Sequence, residues 1–522
     1  MTKRHAQPVD HGANEPAPPG APPGSPAERI GHFIAGKMAP GGSVRHGDVY
    51  DSATGARTHE VDFATGEDVD RAVAVALEAA RAWGTTSLAK RAEVMFRIRQ
   101  TLDGHRADLA RAITAQHGKV LSDAMGEVAR GLENVDYACG IPNLLAGRYA
   151  ERASSGVEVY SVRQPLGVVA GITPFNFPVM VPLWMCASAI ACGNTFVLKP
   201  SEKDPLASLL LAELFAEAGL PDGVLNVVQG DKVAVDALLQ HPDVRAVSFV
   251  GSTPVARYFY EQAAKYAKRV QALGGAKNHM VVLPDADVEM AADAAVSAAY
   301  GSAGERCMAI SVVVPVGRVA GPLVQAIASR LPNLEIGPGL DADAEMGPLV
   351  TREHRDKVAS YVDSASSQGA TVVVDGRDHP RCREDGFFLG ASLIDDVTPE
   401  MDCYRDEIFG PVLSVVRTDT YDEAMALVNS SPWGNGAAIF TRDGGAARRF
   451  QEEVEAGMVG VNVPIPVPVG YFSFGGWKAS LFGDTNIYGP ESINFYTRAK
   501  VVTERWPDPS TSAVDLGFPQ NR

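Results

Sequence analysis

The chain has 522 residues, of which 46% are hydrophobic and 21% charged, and its formal net charge is −16. This length favours two or three domains with a large core, and the acidic balance without a basic stripe argues against nucleic-acid or anionic-membrane partners. The six cysteines show no CxxC spacing, which argues against a disulfide framework and favours a reducing, cytoplasmic compartment.

The first part of the chain divides into a tail and a helical region. Residues 1–27 are rich in Pro, Ala and Gly and lack the apolar core of a secretory signal, so we expect a disordered tail. Residues 66–140 then show helical periodicity, and Thr65 with Asp68 can cap the first helix.

The uncharged run Val179–Leu198 is long enough to suggest a membrane span. Pro182 and Gly193 interrupt it, however, which favours a buried helix over 179–192 followed by a strand at Thr195–Lys199. We therefore expect no membrane segment here.

Strands and helices alternate from residue 166 to residue 280, with short connections rich in Gly, Pro and Asp. Such alternation is typical of an α/β fold with a mostly parallel sheet covered on both faces. The predicted strands are 167–173, 195–199, 224–228, 246–250 and 269–273, and the predicted helices are 179–192, 204–218, 233–240 and 254–267.

A second alternating block follows residue 280, so the pattern predicts two αβ domains. Its predicted helices are 288–300, 421–429 and 444–456, and its predicted strands are 310–316, 371–374 and 412–416. We assign residues 28–150 and 166–280 to the first domain and residues 281–489 to the second.

Two further segments are predicted to form strands that bury poorly on their own. These are 151–165, with alternation over Val157–Arg163, and 490–506, with alternation over Asn494–Thr503. A contact between subunits would cover them, so we expect a homodimer or homotetramer.

A nucleotide site is indicated by side chains at strand ends, since no GxGxxG motif follows any predicted strand. Lys199 can hydrogen-bond ribose hydroxyls, and Glu202 can accept from a 2′-hydroxyl while repelling a 2′-phosphate, which favours NAD over NADP. Ser252, at the start of the next helix, suits a pyrophosphate. Each signal alone is equally typical of a plain helix cap or turn.

The run from Gly301 to Ala309 is rich in small residues and leaves room around the thiol of Cys307. A flat electrophile could reach such a thiol, which makes it a candidate nucleophile. Taken alone, a cysteine is more often a buried structural residue.

Over residues 35 to 505 the sequence resembles the NAD(P)-dependent aldehyde dehydrogenase superfamily. Within it, Gly275–His279, Phe175 and Thr485–Gly489 are similar to the CoA-acylating methylmalonate-semialdehyde dehydrogenases, which also act on malonate semialdehyde. The superfamily resemblance is carried by Thr173–Pro178, Lys199–Glu202, Phe249–Ser252, Gly301–Cys307 and Glu407–Pro411.

This resemblance implies a fold of two αβ domains with small oligomerisation strands, and a reaction on a cysteine. Cys307 would attack the aldehyde, and the amide of Asn176 would stabilise the oxyanion before hydride passes to NAD. No metal is implied. The residues that the resemblance places at the cofactor are Thr173, Phe175, Lys199, Glu202, Lys203, Ser252, Gly274, Glu407 and Phe409.

The release step follows from Leu273, which stands where hydrolytic relatives carry a glutamate. Leucine cannot take a proton from water, which is a poor nucleophile unaided. The thiol of coenzyme A ionises more easily, so the sequence predicts CoA as a co-substrate that takes the acyl group.

The subgroup resemblance also predicts a carboxylate-bearing substrate. Arg130 and Arg306 match its two cations, since a guanidinium binds a carboxylate through paired hydrogen bonds. The expected products are propionyl-CoA or acetyl-CoA, with the substrate carboxylate lost as bicarbonate. Two alternatives stay open: a hydrolytic semialdehyde dehydrogenase that uses another base, and a non-catalytic homologue kept for binding.

Overall fold

The computed structural model describes residues 28–511 and 514. Two large sheets carry most of the chain, and each is built mainly from parallel strands. The tail predicted for residues 1–27 lies outside the described residues.

The first sheet has eight strands, with a parallel centre and antiparallel edges. In spatial order its strands are Leu481–Phe482, Arg269–Leu273, Val244–Val250, Val168–Ile172, Thr195–Lys199, Leu225–Val227, His32–Ile34 and Lys37–Ala39. The helices of this half of the chain are Gly66–Trp83, Leu88–Gly104, Arg106–His117, Leu121–Cys139, Ile141–Leu144, Met180–Ala191, Leu206–Glu217, Lys232–Gln240 and Thr253–Lys265.

The second sheet has seven strands, and all its pairings are parallel except the one at the Thr371 edge. In spatial order its strands are Thr371–Val374, Ser392–Asp395, Val412–Val415, Ile310–Pro315, Asn278–Val282, Gly436–Phe440 and Met458–Val461. The accompanying helices are Val288–Tyr300, Ala320–Arg330, Arg352–Ser367, Asp402–Arg405, Tyr421–Ser430 and Gly444–Glu453. The last helix, Pro490–Phe495, packs instead against Met180–Ala191 of the first half of the chain.

Three smaller sheets complete the strand pairings. One joins Thr497–Arg505, Val157–Pro165 and Tyr149–Ser154 in an antiparallel ribbon with two exposed edges. The others join Glu28–Ile30, Arg57–Asp62 and His46–Tyr50, and Trp433–Gly434 with Trp477–Lys478.

The predicted start of the helical region is confirmed in detail. Thr65 Oγ1 accepts from the Asp68 backbone N–H at 3.2 Å, and Asp68 Oδ2 accepts from the Thr65 N–H at 3.0 Å, which is the reciprocal capping box. Val69 and Val73 are buried on the inner face of this helix. No helix among the described residues is long and apolar enough to cross a membrane.

The predicted alternation of strands and helices is confirmed, but the C-terminal segment needs correction. A strand was expected over Asn494–Thr503, whereas Pro490–Phe495 is helical and the strand is Thr497–Arg505. Proline at the first helical position is preorganised for a helix start, which explains the difference.

The two sheets do not follow the predicted segment boundaries at every strand. Asn278–Val282 crosses the expected boundary at residue 280 and lies in the second sheet. Leu481–Phe482, assigned to the second segment, pairs with Arg269–Leu273 of the first sheet. The two-residue strand therefore brings the C-terminal part of the chain beside Leu273.

Candidate active site

Cys307 lies in the turn between the 3-10 segment Gly301–Gly304 and the strand Ile310–Pro315. Gly304 has a left-handed φ of 75°, and a Cβ there would stand 2.3 Å from the Gly410 carbonyl oxygen. Glycine is therefore required at this position, and the tight backbone path presents Cys307 at the end of the turn.

Two amide side chains hold the backbone of Cys307. The Nδ2 of Asn278 donates to the Cys307 carbonyl oxygen at 2.9 Å, and the Nδ2 of Asn435 donates to the same oxygen at 3.1 Å. A carbonyl oxygen has two lone pairs, so both bonds can form together. Cys307 is consequently held through its backbone carbonyl oxygen, and neither amide bonds its side chain.

The protein around Cys307 disfavours its thiolate. The residue is partly exposed in the cleft, but burial, together with the Glu407 carboxylate, raises the pKa of its thiol to about 12. The backbone N–H groups of Cys307 and Met308 and the Arg306 cation act in the opposite direction. At neutral pH the free protein therefore holds Cys307 mainly as the thiol, and attack on a carbonyl must be coupled to loss of its proton.

Asn176 lies beside this turn and is buried. Its Nδ2 donates to the backbone oxygen of Glu305 at 2.9 Å, which uses one of the two N–H groups of the amide. The second N–H remains as a donor for an oxygen atom bound to the carbon that Cys307 attacks.

A cavity of about 370 Å³ runs from Cys307 to the ends of the first-sheet strands. It brings together most of the residues predicted at the cofactor and the nucleophile. The predicted residues that line it are Thr173, Phe175, Asn176, Glu202, Lys203, Ser252, Gly274, Cys307, Glu407 and Phe409.

Lys199 stands behind this lining rather than in it. Its Nζ lies 2.9 Å from Glu202 Oε2, and its side chain is nearly buried. Burial alone would raise the pKa of Glu202, but the Lys199 ammonium, the Glu202 backbone N–H and the Lys203 cation together bring the pKa below the ordinary value. Glu202 is therefore an ionised acceptor at the sheet edge. Lys203 lies with its Nζ 4.6 Å from the centre of the Phe175 ring.

The helix Thr253–Lys265 begins at the cavity with Ser252 as its N-cap. The Ser252 side chain makes no capping hydrogen bond, so its hydroxyl and the first N–H groups of the helix suit an anion such as a pyrophosphate. Gly274 passes close to this point, where a Cβ would stand 2.6 Å from the Ala479 carbonyl oxygen.

Glu407 is the acid that shares both the cavity and a water-sized void with Cys307. Its Oε1 accepts from the Ala276 N–H at 2.9 Å, and its Oε2 lies so close to Gly275 that a Cβ there would stand 2.1 Å away. Burial raises the pKa of Glu407 to about 7. A carboxylate with this pKa can exchange a proton near neutral pH.

Leu273 ends its strand just before Gly274 and is buried. It belongs to the apolar cluster that includes Met308 and against which Cys307 packs. The strand position that precedes the cavity therefore contributes an alkyl side chain and no proton acceptor.

Neither of the two predicted carboxylate-binding cations lines the 370 Å³ cavity, although Arg306 lines the small void that also touches Cys307 and Glu407. Arg306 Nη2 binds Asp123 Oδ1 at 2.6 Å and faces a separate cavity of about 580 Å³. Arg130 Nη1 lies 3.1 Å from both carboxylate oxygens of Glu133. A substrate carboxylate would have to compete with these acids.

Tyr488 connects Arg130 with the nucleophile. Burial raises the pKa of the Tyr488 phenol, and Cys307 raises it as well, whereas the Arg130 cation lowers it. Its hydroxyl donates to the Pro468 carbonyl oxygen at 2.7 Å. The Tyr488 phenol thus has both Arg130 and Cys307 among its charged or ionisable neighbours.

Sequence reasoning missed His354 and Lys357, which both line the cavity. His354 Nε2 donates to the Phe409 carbonyl oxygen at 2.7 Å, and Phe409 has a left-handed φ of 57°. Burial lowers the pKa of His354 to about 4, so its imidazole is neutral. The two residues are three apart after the helix cap Thr351, a spacing that an ordinary solvated helix face shows as well.

Together these features define a two-sheet αβ protein with a candidate cysteine nucleophile at the inner end of a cleft that suits a nucleotide. Among curated proteins, it is 55% identical to the malonate-semialdehyde dehydrogenase of Pseudomonas aeruginosa over 94% of this chain and 99% of that protein. The malonate-semialdehyde dehydrogenase of Halalkalibacterium halodurans is 49% identical over 92% and 99% of the two chains.

Among solved structures, that of a protein assigned as methylmalonate-semialdehyde dehydrogenase from Sinorhizobium meliloti 1021, complexed with NAD, superposes with a TM-score of 0.92. Its sequence is 52% identical, and the match covers 94% of this chain and all of that one. The model of the aldehyde dehydrogenase family matches residues 39–502. The chain belongs to the aldehyde dehydrogenase family.

Proposed function

We propose that this aldehyde dehydrogenase oxidises malonate semialdehyde or methylmalonate semialdehyde with NAD and passes the acyl group to coenzyme A. The relatives named for these two substrates span nearly the whole chain. The observation that carries the acyl-transfer step is the buried Leu273 at the strand end beside the cavity, because it leaves that position without a base for water.

The residues of the cavity fit NAD. Thr173 Oγ1 is buried without a hydrogen-bond partner among the described residues, in a side chain that lines the cavity. Glu202, ionised beside Lys199, suits a ribose 2′-hydroxyl and would repel a 2′-phosphate, which favours NAD over NADP. Ser252 would hold the pyrophosphate, and Phe409 and Glu407 the nicotinamide end.

When bound, NAD supplies a hydride acceptor. The protein supplies the sulfur of Cys307, which bonds to the aldehyde carbon as its proton leaves, and the free N–H of Asn176, which stabilises the resulting oxyanion. Loss of hydride from that carbon leaves a thioester on Cys307. The net change is one aldehyde hydrogen removed as hydride and one proton released.

Release of the thioester depends on what attacks it. Transfer from one thiol to another needs little proton abstraction, because a thiolate forms near neutral pH far more readily than hydroxide. Attack by water needs a general base. With leucine at position 273, transfer to CoA is the favoured outcome.

Substrate selection is assigned to Arg130 and Arg306, whose guanidinium groups suit the carboxylate of a semialdehyde. Their partners Glu133 and Asp123 keep both cations in place before substrate binds. The proposed products are acetyl-CoA or propionyl-CoA, with the carboxylate lost as bicarbonate.

Product analysis tests this proposal. The protein is incubated with NAD and malonate semialdehyde, with and without CoA, and acetyl-CoA, bicarbonate and free carboxylic acid are quantified against NADH. We expect sustained NADH formation, with an equal amount of acetyl-CoA, only when CoA is present. Equal rates of NADH formation without CoA, with a free acid as product, would overturn the acyl-transfer assignment.

Hydrolysis is the second candidate function, and one observation favours it. Glu407 shares the cavity and a void of about 10 Å³ with Cys307, a volume that holds about one water molecule. Its pKa of about 7 suits a general base. Free acid formed without CoA, and lost in Glu407→Gln while the NADH burst persists, would establish this alternative.

Self-association is proposed through the ribbon of strands Tyr149–Ser154, Val157–Pro165 and Thr497–Arg505. Its edge strands are exposed, and Val501 and Trp506 leave large apolar surface open to solvent. Pairing with a second copy would cover these edges, in a dimer or tetramer. The free cysteines agree with a cytoplasmic location.

A further inference from the structure

Behind the Asn176 loop lies a fully buried ion pair that the proposed reaction does not use. Lys119 Nζ lies 2.9 Å from Glu127 Oε2, and both side chains have 0% of their surface exposed. A buried ion pair is costly unless hydrogen bonds satisfy its remaining atoms. The other contacts of the pair therefore show what it holds.

Lys119 holds the backbone of the oxyanion donor. Its Nζ donates to the Asn176 backbone carbonyl at 2.5 Å and lies 4.3 Å from the centre of the Phe177 ring. On the other side, the Asn176 amide donates to the Glu305 carbonyl, two residues before Cys307. The position of this amide relative to the sulfur is consequently set from both of its ends.

Glu127 holds the end of the same loop. Its Oε1 accepts from the Val179 N–H at 2.9 Å and from the Met180 N–H at 3.1 Å, at the start of the helix Met180–Ala191. These N–H groups have no partner inside their own helix, and the carboxylate satisfies them. The ion pair thus clamps the segment from Asn176 to Met180 at both ends.

Glu127 also belongs to the helix that carries Arg130, which follows it by one turn. This helix packs tightly on the helix Met180–Ala191, since a Cβ at Gly131 would stand 2.7 Å from Leu183 Cδ1. The Arg130 helix and the Asn176 loop are therefore joined by hydrogen bonds and close packing.

We propose that Lys119 and Glu127 form a positioning pair that sets the Asn176 amide against Cys307 and couples it to the helix bearing Arg130. The coupling to Arg130 rests on the proposed function. The effect on Asn176 does not, because it concerns oxyanion stabilisation for any aldehyde.

The experiment separates positioning from stability. Lys119→Met leaves a buried carboxylate without its cation, so we expect a large fall in Tm. Adding Glu127→Gln removes that charge while keeping an oxygen for the Val179 and Met180 N–H groups. We expect the double variant to regain most of the lost Tm, although the ammonium bond to Asn176 is still missing.

The readout is the rate of the NADH burst with propanal, an uncharged aldehyde. We expect the double variant to keep normal NAD affinity but to show a burst about 10-fold slower or more, because small misplacements of catalytic groups have effects of this size. A burst rate that recovers together with Tm would show a purely structural pair and overturn the proposal.

A matched control is the exposed pair Lys90 and Glu93, which has the same Nζ to Oε2 distance of 2.9 Å with 54% of each side chain exposed. Lys90→Met with Glu93→Gln should leave both Tm and the burst rate unchanged.

The Arg130 coupling is tested by comparing malonate semialdehyde with propanal. A larger loss of kcat/KM for the semialdehyde supports it, and equal losses reject it. Because propanal carries no carboxylate, the Asn176 result stands even if the proposed substrate is wrong.

Discussion

The proposed cofactor side and the proposed substrate side of the site are built in different ways. On the cofactor side, residues at strand ends, at a helix start and in the adjoining loops line one cavity. On the substrate side, Arg130 and Arg306 reach out from a helix and a turn, and each is already paired with an acid. Parallel strands bring their ends to one edge of the sheet regardless of their side chains. The position of a long cationic side chain depends instead on the group with which it pairs.

The largest effect is expected where the two sides meet, at Asn176. Replacing it with alanine removes the side-chain N–H assigned to the oxyanion, so the burst rate of NADH should fall about 10²- to 10³-fold. Rapid mixing with NAD and propanal measures it. Asn176→Asp keeps the size but loses the donor, and an active Asn176→Asp would contradict this role.

A second prediction concerns the release of the thioester, which should change when a base is introduced at position 273. Leu273→Glu places a carboxylate at the strand end beside the cavity, and NADH turnover without CoA should rise about 10²-fold, as expected for a general base. Leu273→Gln matches its size without the base and serves as control. A rise with glutamine, or none with glutamate, would show that position 273 does not decide the fate of the thioester.

A third prediction addresses the substrate side alone. Arg306→Gln should raise KM for malonate semialdehyde about 10- to 100-fold, because hydrogen bonds between charged groups are lost, and leave KM for propanal nearly unchanged. Steady-state kinetics with both aldehydes separate the cases. Equal changes would show that Arg306 serves only its bond to Asp123.

The smallest effect concerns the thiol itself. Because the Glu407 charge raises the pKa of Cys307, Glu407→Gln should lower this pKa and speed alkylation by iodoacetamide at pH 8 a few-fold, by about 1 kcal/mol or less. The rate is followed without NAD from pH 6 to 10. Glu353→Gln, an exposed acid on a neighbouring helix, is the control. Slower alkylation in Glu407→Gln would instead make Glu407 the base that takes the thiol proton.

The sequence predicts the regular part of the fold well, for a physical reason. The strands Thr195–Lys199 and Arg269–Leu273 and the helix Val288–Tyr300 have the predicted bounds, because apolar periodicity and turn residues are local signals. The predicted start of the last strand at Asn494 was wrong, because the short helix Pro490–Phe495 extends into this strand-like run.

The parts that the sequence could not predict depend on tertiary contacts. His354 reaches the cavity only because its helix packs beside Phe409. In the sequence, Lys119 cannot be distinguished from an ordinary surface cation, and only the structure shows that it is buried against Glu127. Likewise, no local signal places Glu407 in one cavity with Cys307. Each of these side chains lies far in sequence from the group it serves.

The most direct test of acyl transfer follows the enzyme-bound thioester itself. The protein is mixed with NAD and malonate semialdehyde without CoA, NADH is counted per Cys307, and the intact mass is measured before and after CoA is added. The account predicts about one NADH per site and an acyl adduct that disappears as acyl-CoA forms. Continued NADH formation with no lasting adduct, and free acid in solution, would contradict it.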